Sequence, residues 1–413
     1  MGEAAAAAEG LLHRRIEFHA ATKPPPHPTP ATAVAMPGGF AMERRLFAGA
    51  EKRAAAASGR EGRGFENGES SAAAAGFDPE PSAARIYLRR IGAGLHNLGN
   101  TCYLNSVLQG LTYTEPFVAY LQSSKHKYSC KFAATCNQTI DIPRQANGFC
   151  ALCALQKHVR SALRSTGKIL TPMLFVKNLR YCPVLDCKAG ISRSFCYSRQ
   201  EDAHELMVSL LESMHKCCLP SGIPSESPSA YEKSLVHRIF GGRLRSQVRC
   251  TRCSHCSNKV DPFLDLSLEI GNATTLMKAL YNFTEEELLD GGEKHYNCQQ
   301  CKQKVAAKKR FLIDKAPSVL TIHLKRFSPF NPLQKIDKKV DFQTTLNLKP
   351  FVSNSEGTDL KYSLYGVLVH AGWNTQSGHY YCFVRTSSGL WHNLDDNQVG
   401  NLILLKLTYL TCC

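Results

Sequence analysis

The chain has no long hydrophobic run. Its 413 residues contain no stretch of eighteen apolar side chains, so no segment is expected to cross a bilayer as a helix. The first twenty residues also lack the basic n-region of a secretory leader. Glu3, Glu9 and Glu17 stand there instead, and the apolar content is mostly alanine. Ala6 occupies the position where an N-myristoylation signal carries Ser or Thr. No internal repeat of about 20–50 residues is visible, which excludes a solenoid or propeller. Nor is there an Arg/Lys stripe interleaved with aromatics. The net charge is +16, but residues 1–90 carry only +2 of it, and the rest is spread over the chain. The densest basic cluster, "KVAAKKR" from Lys304 to Arg310, is short. Such a surface aids solubility, and direct nucleic-acid binding is not expected of it. These absences point to a nuclear or cytoplasmic chain, neither secreted nor membrane-bound, and a monomer is expected.

What the chain does have is cysteine, eighteen of them. Without a leader, thiols in Cys-x-x-Cys pairs read as metal ligands or catalytic groups and not as a disulfide framework.

Composition divides the chain. Residues 1–90 hold the alanine runs Ala4–Ala8, Ala54–Ala57 and Ala72–Ala75 and the stretch "PPPHPTP". Apolar residues other than alanine are too sparse there to bury a core, so a disordered tail is expected. A globular part follows over residues 92–413. Leu104, Val107, Leu108 and Leu111 recur at helical spacing, with Asn100 or Thr101 in position to cap. In "SRQEDAHELMVSLLESMHKC", Ser198 and Glu201 have capping-box spacing, and Ala203, Leu206, Met207, Leu210, Leu211 and Met214 form one stripe. After about residue 240 the period shifts to two, and "GGRLRSQVRC", "PSVLTIHLKRF", "KYSLYGVLVHAG", "GHYYCFVRT" and "GLWHNLDD" read as strands. Helices first and strands later predict an α+β fold, with a helix packed on an antiparallel sheet.

Three constellations carry chemistry. Cys250/Cys253 and Cys298/Cys301 form two Cys-x-x-Cys pairs 44 residues apart. Four thiolates make a closed tetrahedral Zn²⁺ site that would pin two hairpins together; Cys256 is a less favoured substitute ligand. A looser grouping, Cys130, Cys136, Cys150 and Cys153, lies in an apolar context that suits helix packing. Cys182, Cys187, Cys196, Cys217 and Cys218 read as core or surface thiols. Cys102 stands apart. It opens its apolar stripe at a helix N-terminus, where amide N–H groups and the macrodipole favour a thiolate. In "SGHYYCFV", His379 starts an apolar strand after a Ser-Gly bend. In "WHNLDD", Asp395 and Asp396 offer a carboxylate to take the Nδ1 hydrogen bond of the imidazole. That is a nucleophile, a base and an orienter. Asn97 offers a side-chain amide to an oxyanion.

"GLHNLGNTCYLNSVLQGL", "RQEDAHELM", "VLTIHLKRF", "GHYYCFV" and "WHNLDDNQV" follow the order and approximate spacing of the ubiquitin-specific proteases. The chain resembles that family over about Gly92 to Val399, most closely its plant members and their nucleolar animal relatives. The resemblance implies a papain-like cysteine peptidase with a helical thumb, a palm sheet and zinc-pinned fingers at about residues 240–312. It would cleave after the C-terminal glycine of ubiquitin, at an isopeptide or a peptide bond. Cys102 would be the nucleophile, His379 the base, Asp395 the orienter, Asn97 the oxyanion donor and Asp396 an assistant near it. Gln200, Asp202, Glu205 and Tyr380 would meet the ubiquitin tail, and Cys250, Cys253, Cys298 and Cys301 would hold one structural Zn²⁺. Ubiquitin and ubiquitinated proteins would be the partners. The chain departs from the pattern after Asp396. It runs "VGNLILLKLTYLTCC" where the resemblance calls for a helix and a last apolar strand beneath the base. The alternative is therefore a ubiquitin-binding pseudoenzyme with a loosened base.

Overall fold

The structure is a computed structural model that describes residues 44–49, 88–123, 126, 130, 149–179, 190–192, 195, 199–219, 223–290, 295–328, 331–355, 360–372 and 377–402. The helices are α1 Cys102–Thr112, α2 Glu115–Gln122, α3 Ala151–Arg164, α4 Met173–Val176, α5 Ala203–Cys218, α6 Pro228–Lys233, α7 Leu235–Phe240 and α8 Leu276–Thr284. The strands begin with β1 Arg44–Gly49, β2 Gly94–Leu95 and β3 Ile169–Leu170. They continue with β4 Gly242–Cys250, β5 Cys256–Phe263, β6 Leu266–Glu269, β7 Glu287–Leu289, β8 Tyr296–Cys298, β9 Gln303–Val305, β10 Ala307–Lys315 and β11 Val319–Lys325. Two short hairpins pair β12 Phe327–Ser328 with β13 Asn331–Lys335, and β14 Thr345–Asn347 with β15 Lys361–Ser363. The last four strands are β16 Gly366–Ala371, β17 His379–Arg385, β18 Trp391–Asp395 and β19 Gln398–Leu402. Helices dominate before residue 240 and strands after it, as the change of period predicts. Among the described residues no helix is long and apolar enough to cross a membrane.

Seven strands form the central sheet in the order β19-β18-β17-β16-β1-β11-β6. Every pair is antiparallel except β11 with β6. That exception to the expected antiparallel sheet has a simple cause. The chain between β6 and β11 passes through α8 and four more strands, a connection long enough for a parallel crossover. Strand β1 is a second difference, since it falls within the segment expected to be a structureless tail. It lies between β16 and β11, antiparallel to both, with Leu46 opposite Ile322 and Val367. Strand pairing is decided by the partner's open N–H and C=O groups, which composition does not register. A second sheet, β5-β4-β10-β7, matches the expected fingers.

Two apolar clusters hold the fold. One joins α1, α2, α3, α5 and α7 to the face of β17 that carries Tyr380, Cys382 and Val384. The other lies across the sheet and gathers Phe383 and Trp391 with the apolar residues of α8 and β11. Successive residues of a strand point to opposite faces, so a strand covered on both sides reads as the unbroken run "YYCFV". All six predicted stripe residues of α5 are buried. The α1 stripe understates its helix, because all eleven of its residues are buried. Packed against β17 on one side and α5 on the other, α1 has no solvent face.

Candidate active site

The approach to Cys102 is a turn that its own sequence dictates. Asn97 Oδ1 accepts from the amides of Gly99 at 3.0 Å and Thr101 at 3.1 Å, an Asx-type arrangement that reverses the chain. Gly99 and Asn100 sit in the left-handed region, with φ of 91° and 56°, which Gly and Asn tolerate best. Helix α1 then starts at Cys102. Thr101 is its N-cap, but it makes no side-chain cap bond. Its hydroxyl instead accepts from Leu98 N at 2.9 Å and lies 3.3 Å from Asn97 Oδ1. The expected hydroxyl or amide cap is thus spent inside the turn. The helix N-terminus keeps its partial positive charge at the thiol, which is only 2% exposed.

His379 is the first residue of β17 and Asp395 the last of β18. Neighbouring antiparallel strands bring them together, and His379 Nε2 meets Asp395 Oδ1 at 2.5 Å. The expectation had Nδ1 facing the carboxylate. The far edge of the ring reaches the adjacent strand instead, which leaves Nδ1 for Cys102. His379 is pushed up to about 10, first by the Asp395 hydrogen bond and next by one to Cys102, against burial that pulls it down. The site therefore favours an imidazolium between two acidic groups. Two close contacts fix the residue before it. A Cβ on Gly378 would stand 2.2 Å from His370 Nε2 and 2.6 Å from Ala371 O, so only glycine fits there. Gly378 O accepts from Gln200 Nε2 at 2.5 Å.

Asp396 is in the turn between β18 and β19, with φ of 49°. It clamps three segments. Its Oδ2 accepts from Asn97 Nδ2 and its Oδ1 from Asn105 Nδ2, both at 2.8 Å, and its backbone carbonyl accepts from Leu95 N at 2.7 Å. Gly94 allows this approach, since a Cβ there would lie 2.6 Å from Asn397 O. Asn105 was missed in the sequence because it sits one turn after Cys102 within an apolar helix. A polar side chain on a wholly buried helix is the signal that was available. Replacing Asp396 with Ala removes the acceptor of both amides and leaves Asn105 Nδ2 only its 3.3 Å contact with His96 O. It is expected to lower stability by about 2–4 kcal/mol, read as a shift in the urea midpoint at constant slope. An unchanged midpoint would mean the clamp carries no load.

Strand β19 pairs with β18 in the register Asp395↔Gln398 to Trp391↔Leu402. The strand bearing Asp395 therefore has a partner on its outer edge, despite the atypical sequence that follows Asp396. Residues 403–413 lie outside the described part.

The acidic box is placed differently from expectation. Helix α5 begins at Ala203, with Asp202 as N-cap accepting from His204 N at 2.6 Å. The expected capping box does not set this start, because Asp202 is the better-placed acceptor for the first free amides; Ser198 lies outside the described residues. Asp202 is 8% exposed and committed to its helix, whereas Glu205 in the first turn is exposed. Tyr380, expected at the substrate tail, is 1% exposed with its ring centroid 4.5 Å from that of His370. It faces the helical layer because it is one residue after His379 on a strand, and so it is a core residue.

The four predicted metal ligands converge at the end of the fingers. Cys250 Sγ lies 3.8 Å from Cys301 Sγ, Cys253 Sγ lies 3.6 Å from Cys298 Sγ, and all four sulfurs are within 4.8 Å of one another. Tetrahedral Zn–S bonds of about 2.3 Å put sulfurs about 3.8 Å apart, so the set fits zinc. The residues after the second cysteine of each pair, Ser254 and Lys302, have φ of 58° and 57°, which folds each pair into a tight knuckle. Amides of Arg252 and Cys253 both reach Cys250 Sγ at 3.4 Å and pull that thiol down to about 7, the Cys253 amide first. Cys256 is exposed, with its sulfur on Ser254 O, and stays outside the set.

A buried cysteine at a helix start, an imidazole on a facing strand and a carboxylate beyond it are the parts that the class of thiol hydrolases requires. Within that class the chain belongs to the ubiquitin carboxyl-terminal hydrolase family, whose model matches residues 93–402. It is 58% identical over 324 residues to ubiquitin carboxyl-terminal hydrolase 23 of Arabidopsis thaliana, covering 78% of this chain and 35% of that protein. It is 40% identical to ubiquitin carboxyl-terminal hydrolase 42 of Homo sapiens, covering 75% of this chain and 22% of the relative. The chain thus spans about a third or less of the length of these two relatives. Among solved structures it is similar to the SAGA DUB module of Ubp8, Sgf11, Sus1 and Sgf73 bound to monoubiquitin. The TM-score there is 0.62 at 29% identity, covering 79% of this chain and 69% of the other.

Proposed function

We propose that this chain is a deubiquitinase that hydrolyses the bond after the C-terminal glycine of ubiquitin, using Cys102, His379 and Asp395. The observation that carries the proposal is the hydrogen-bonded line from Cys102 through His379 to Asp395, in a chain of the ubiquitin carboxyl-terminal hydrolase family. The Cys102 thiolate attacks the glycine carbonyl carbon, a C–S bond forms, and the carbonyl oxygen takes the negative charge. The N-terminal amides of α1 and the second amide hydrogen of Asn97 face that charge, and Asp396 holds Asn97 in position. The His379 imidazolium gives its proton to the leaving amine as the C–N bond breaks, leaving a thioester. His379, now neutral, takes a proton from water, whose oxygen attacks the thioester and releases the ubiquitin carboxylate and the thiolate. Glu205, exposed at the head of α5, supplies negative charge toward the basic ubiquitin tail, and Gln200 ties that approach to the His379 strand. A ubiquitin probe with a C-terminal electrophile tests the proposal. Stoichiometric labelling at Cys102 is expected. Ubiquitin binding without labelling would identify a binding protein and overturn the enzyme.

The residues of the fingers fit Zn²⁺, and Cys250, Cys253, Cys298 and Cys301 would hold it as a closed structural site. Its chemistry there is cross-linking of two hairpins. Cys298→Ser is expected to remove one zinc from the intact chain and to lower its melting temperature, measured by metal analysis and calorimetry on protein purified without chelator. Unchanged metal content would dismiss the assignment.

A further inference from the structure

We infer that the helical half of this protein holds a second structural zinc, bound by His126, Cys130, Cys150 and Cys153. The four donor atoms lie within 4.8 Å of one another. His126 Nε2 is 3.2 Å from Cys150 Sγ, and Cys153 Sγ is 3.5 Å from Cys130 Sγ. The sulfur separation is far beyond the roughly 2.05 Å of a disulfide and close to the edge of a zinc tetrahedron. His126, Cys130 and Cys150 are buried and Cys153 half-buried, so the site has no open coordination position of the kind a catalytic zinc keeps.

The local chemistry repeats that of the fingers. There, the amide of the second cysteine in each pair donates to the sulfur of the first at 3.4 Å, Cys253 to Cys250 and Cys301 to Cys298. Cys153 N donates to Cys150 Sγ at the same 3.4 Å. Here the donor pair opens a helix. Cys150 is the N-cap of α3 and Cys153 lies in its first turn, so the macrodipole also favours a Cys150 thiolate. Cys217, at the end of α5, adds a hydrogen bond to Cys150 from outside the set, the kind of outer contact that holds a ligating sulfur in place. Three thiolates and one imidazole are a donor set that suits Zn²⁺ over harder cations.

The apolar surroundings of Cys150 and Cys153 suggested helix packing, and that expectation is incomplete. Packing alone does not aim an imidazole nitrogen and three sulfurs at one point. The sequence hid the site because its fourth ligand is His126, four residues before Cys130, while the eye takes Cys136, which lies outside the described residues. The metal would close the connection between α2 and α3. That junction is already tied by Gln156 Nε2 to Leu121 O at 2.5 Å and Arg160 to Gln122 O at 3.0 Å.

The test uses the full chain, purified from zinc-supplemented cells without chelator and weighed by native mass spectrometry. Two zinc ions per chain are expected for the unmodified protein. The Cys130→Ser/Cys153→Ser variant should keep one, Cys298→Ser should keep one, and the combined variant none. Cys217→Ser should keep two. A second measurement does not depend on loss of metal. After cobalt loading of Cys298→Ser, the visible spectrum should be that of three thiolates and one nitrogen, and His126→Cys should convert it to the four-thiolate pattern. An unchanged zinc count in Cys130→Ser/Cys153→Ser, a cobalt spectrum insensitive to His126→Cys, or a Cys130–Cys153 disulfide in the freshly purified protein would each overturn the site. Failure of the fingers assignment shows separately, as zinc content unaffected by Cys298→Ser.

Discussion

Replacing Cys102 with alanine is expected to lower kcat for a fluorogenic ubiquitin C-terminal amide by about 10⁵–10⁶-fold, the loss seen when the nucleophile of a triad is removed. Affinity for ubiquitin should stay within a few-fold. The reasons are local. Cys102 is one small buried side chain of α1, and the fully buried Leu104, Val107, Leu108 and Leu111 anchor the helix without it. The turn that presents it is held by Asn97 and Thr101, none of whose bonds involve the thiol. Measuring turnover and equilibrium binding on the same preparation separates chemistry from folding. Turnover near the unmodified rate would remove Cys102 from the nucleophile's role, and loss of ubiquitin binding would show that the substitution damaged the fold.

The second large effect belongs to Asp395→Asn. The Asp395 carboxylate is the first cause of the raised His379 value of about 10, and an amide removes that charge while keeping the shape. A fall in kcat of up to about 10⁴-fold is expected by analogy with the orienter of a serine triad, because the ring loses its fixed tautomer and the imidazolium its support. The pH dependence follows from the sign of the shift. A histidine at about 10 when folded and about 6.5 when unfolded stabilises the protein fully below pH 6.5. That contribution fades as pH rises toward 10. Chemical denaturation between pH 6.5 and 10 should therefore show stability falling with pH, with a shallower slope in Asp395→Asn. The effect is moderated by solvent, since the His379 side chain is 40% exposed. The alkaline limb of the rate profile should move to lower pH in the variant. Equal slopes in the two proteins would mean that Asp395 does not hold the imidazolium.

Much of the site was legible in the sequence because its parts are local. Cys102 reads as reactive from its own neighbours, namely the capping candidates Asn100 and Thr101 before it and the helical stripe that it opens. The two Cys-x-x-Cys pairs read as ligands because the chelate geometry lies within four residues. His379 and Asp395 read as partners because a strand-starting imidazole and a downstream carboxylate pair suit a base and its orienter, and the pairing of β17 with β18 brings them together. Tyr380 was misplaced for a complementary reason. Its role depends on which face of β17 it occupies, and "YYCFV" is apolar on both faces, so no alternation gives the face away. Asp202 was assigned to substrate when its carboxylate caps α5, a use that depends on where the helix starts.

By itself, then, the sequence determined the α+β division, and it picked out the proposed nucleophile, the proposed base, its acidic partner and the two Cys-x-x-Cys knuckles, since each is written in contacts a few residues long or in a periodicity. Only the tertiary structure decided which imidazole nitrogen meets Asp395, that Asp396 joins Asn97 to Asn105 across almost three hundred residues, and that β1 enters the sheet. It also brought His126 together with Cys130, Cys150 and Cys153 in the second cluster. These are encounters between segments distant in the chain. They are fixed by how the helical layer settles on the sheet, and no local propensity encodes that.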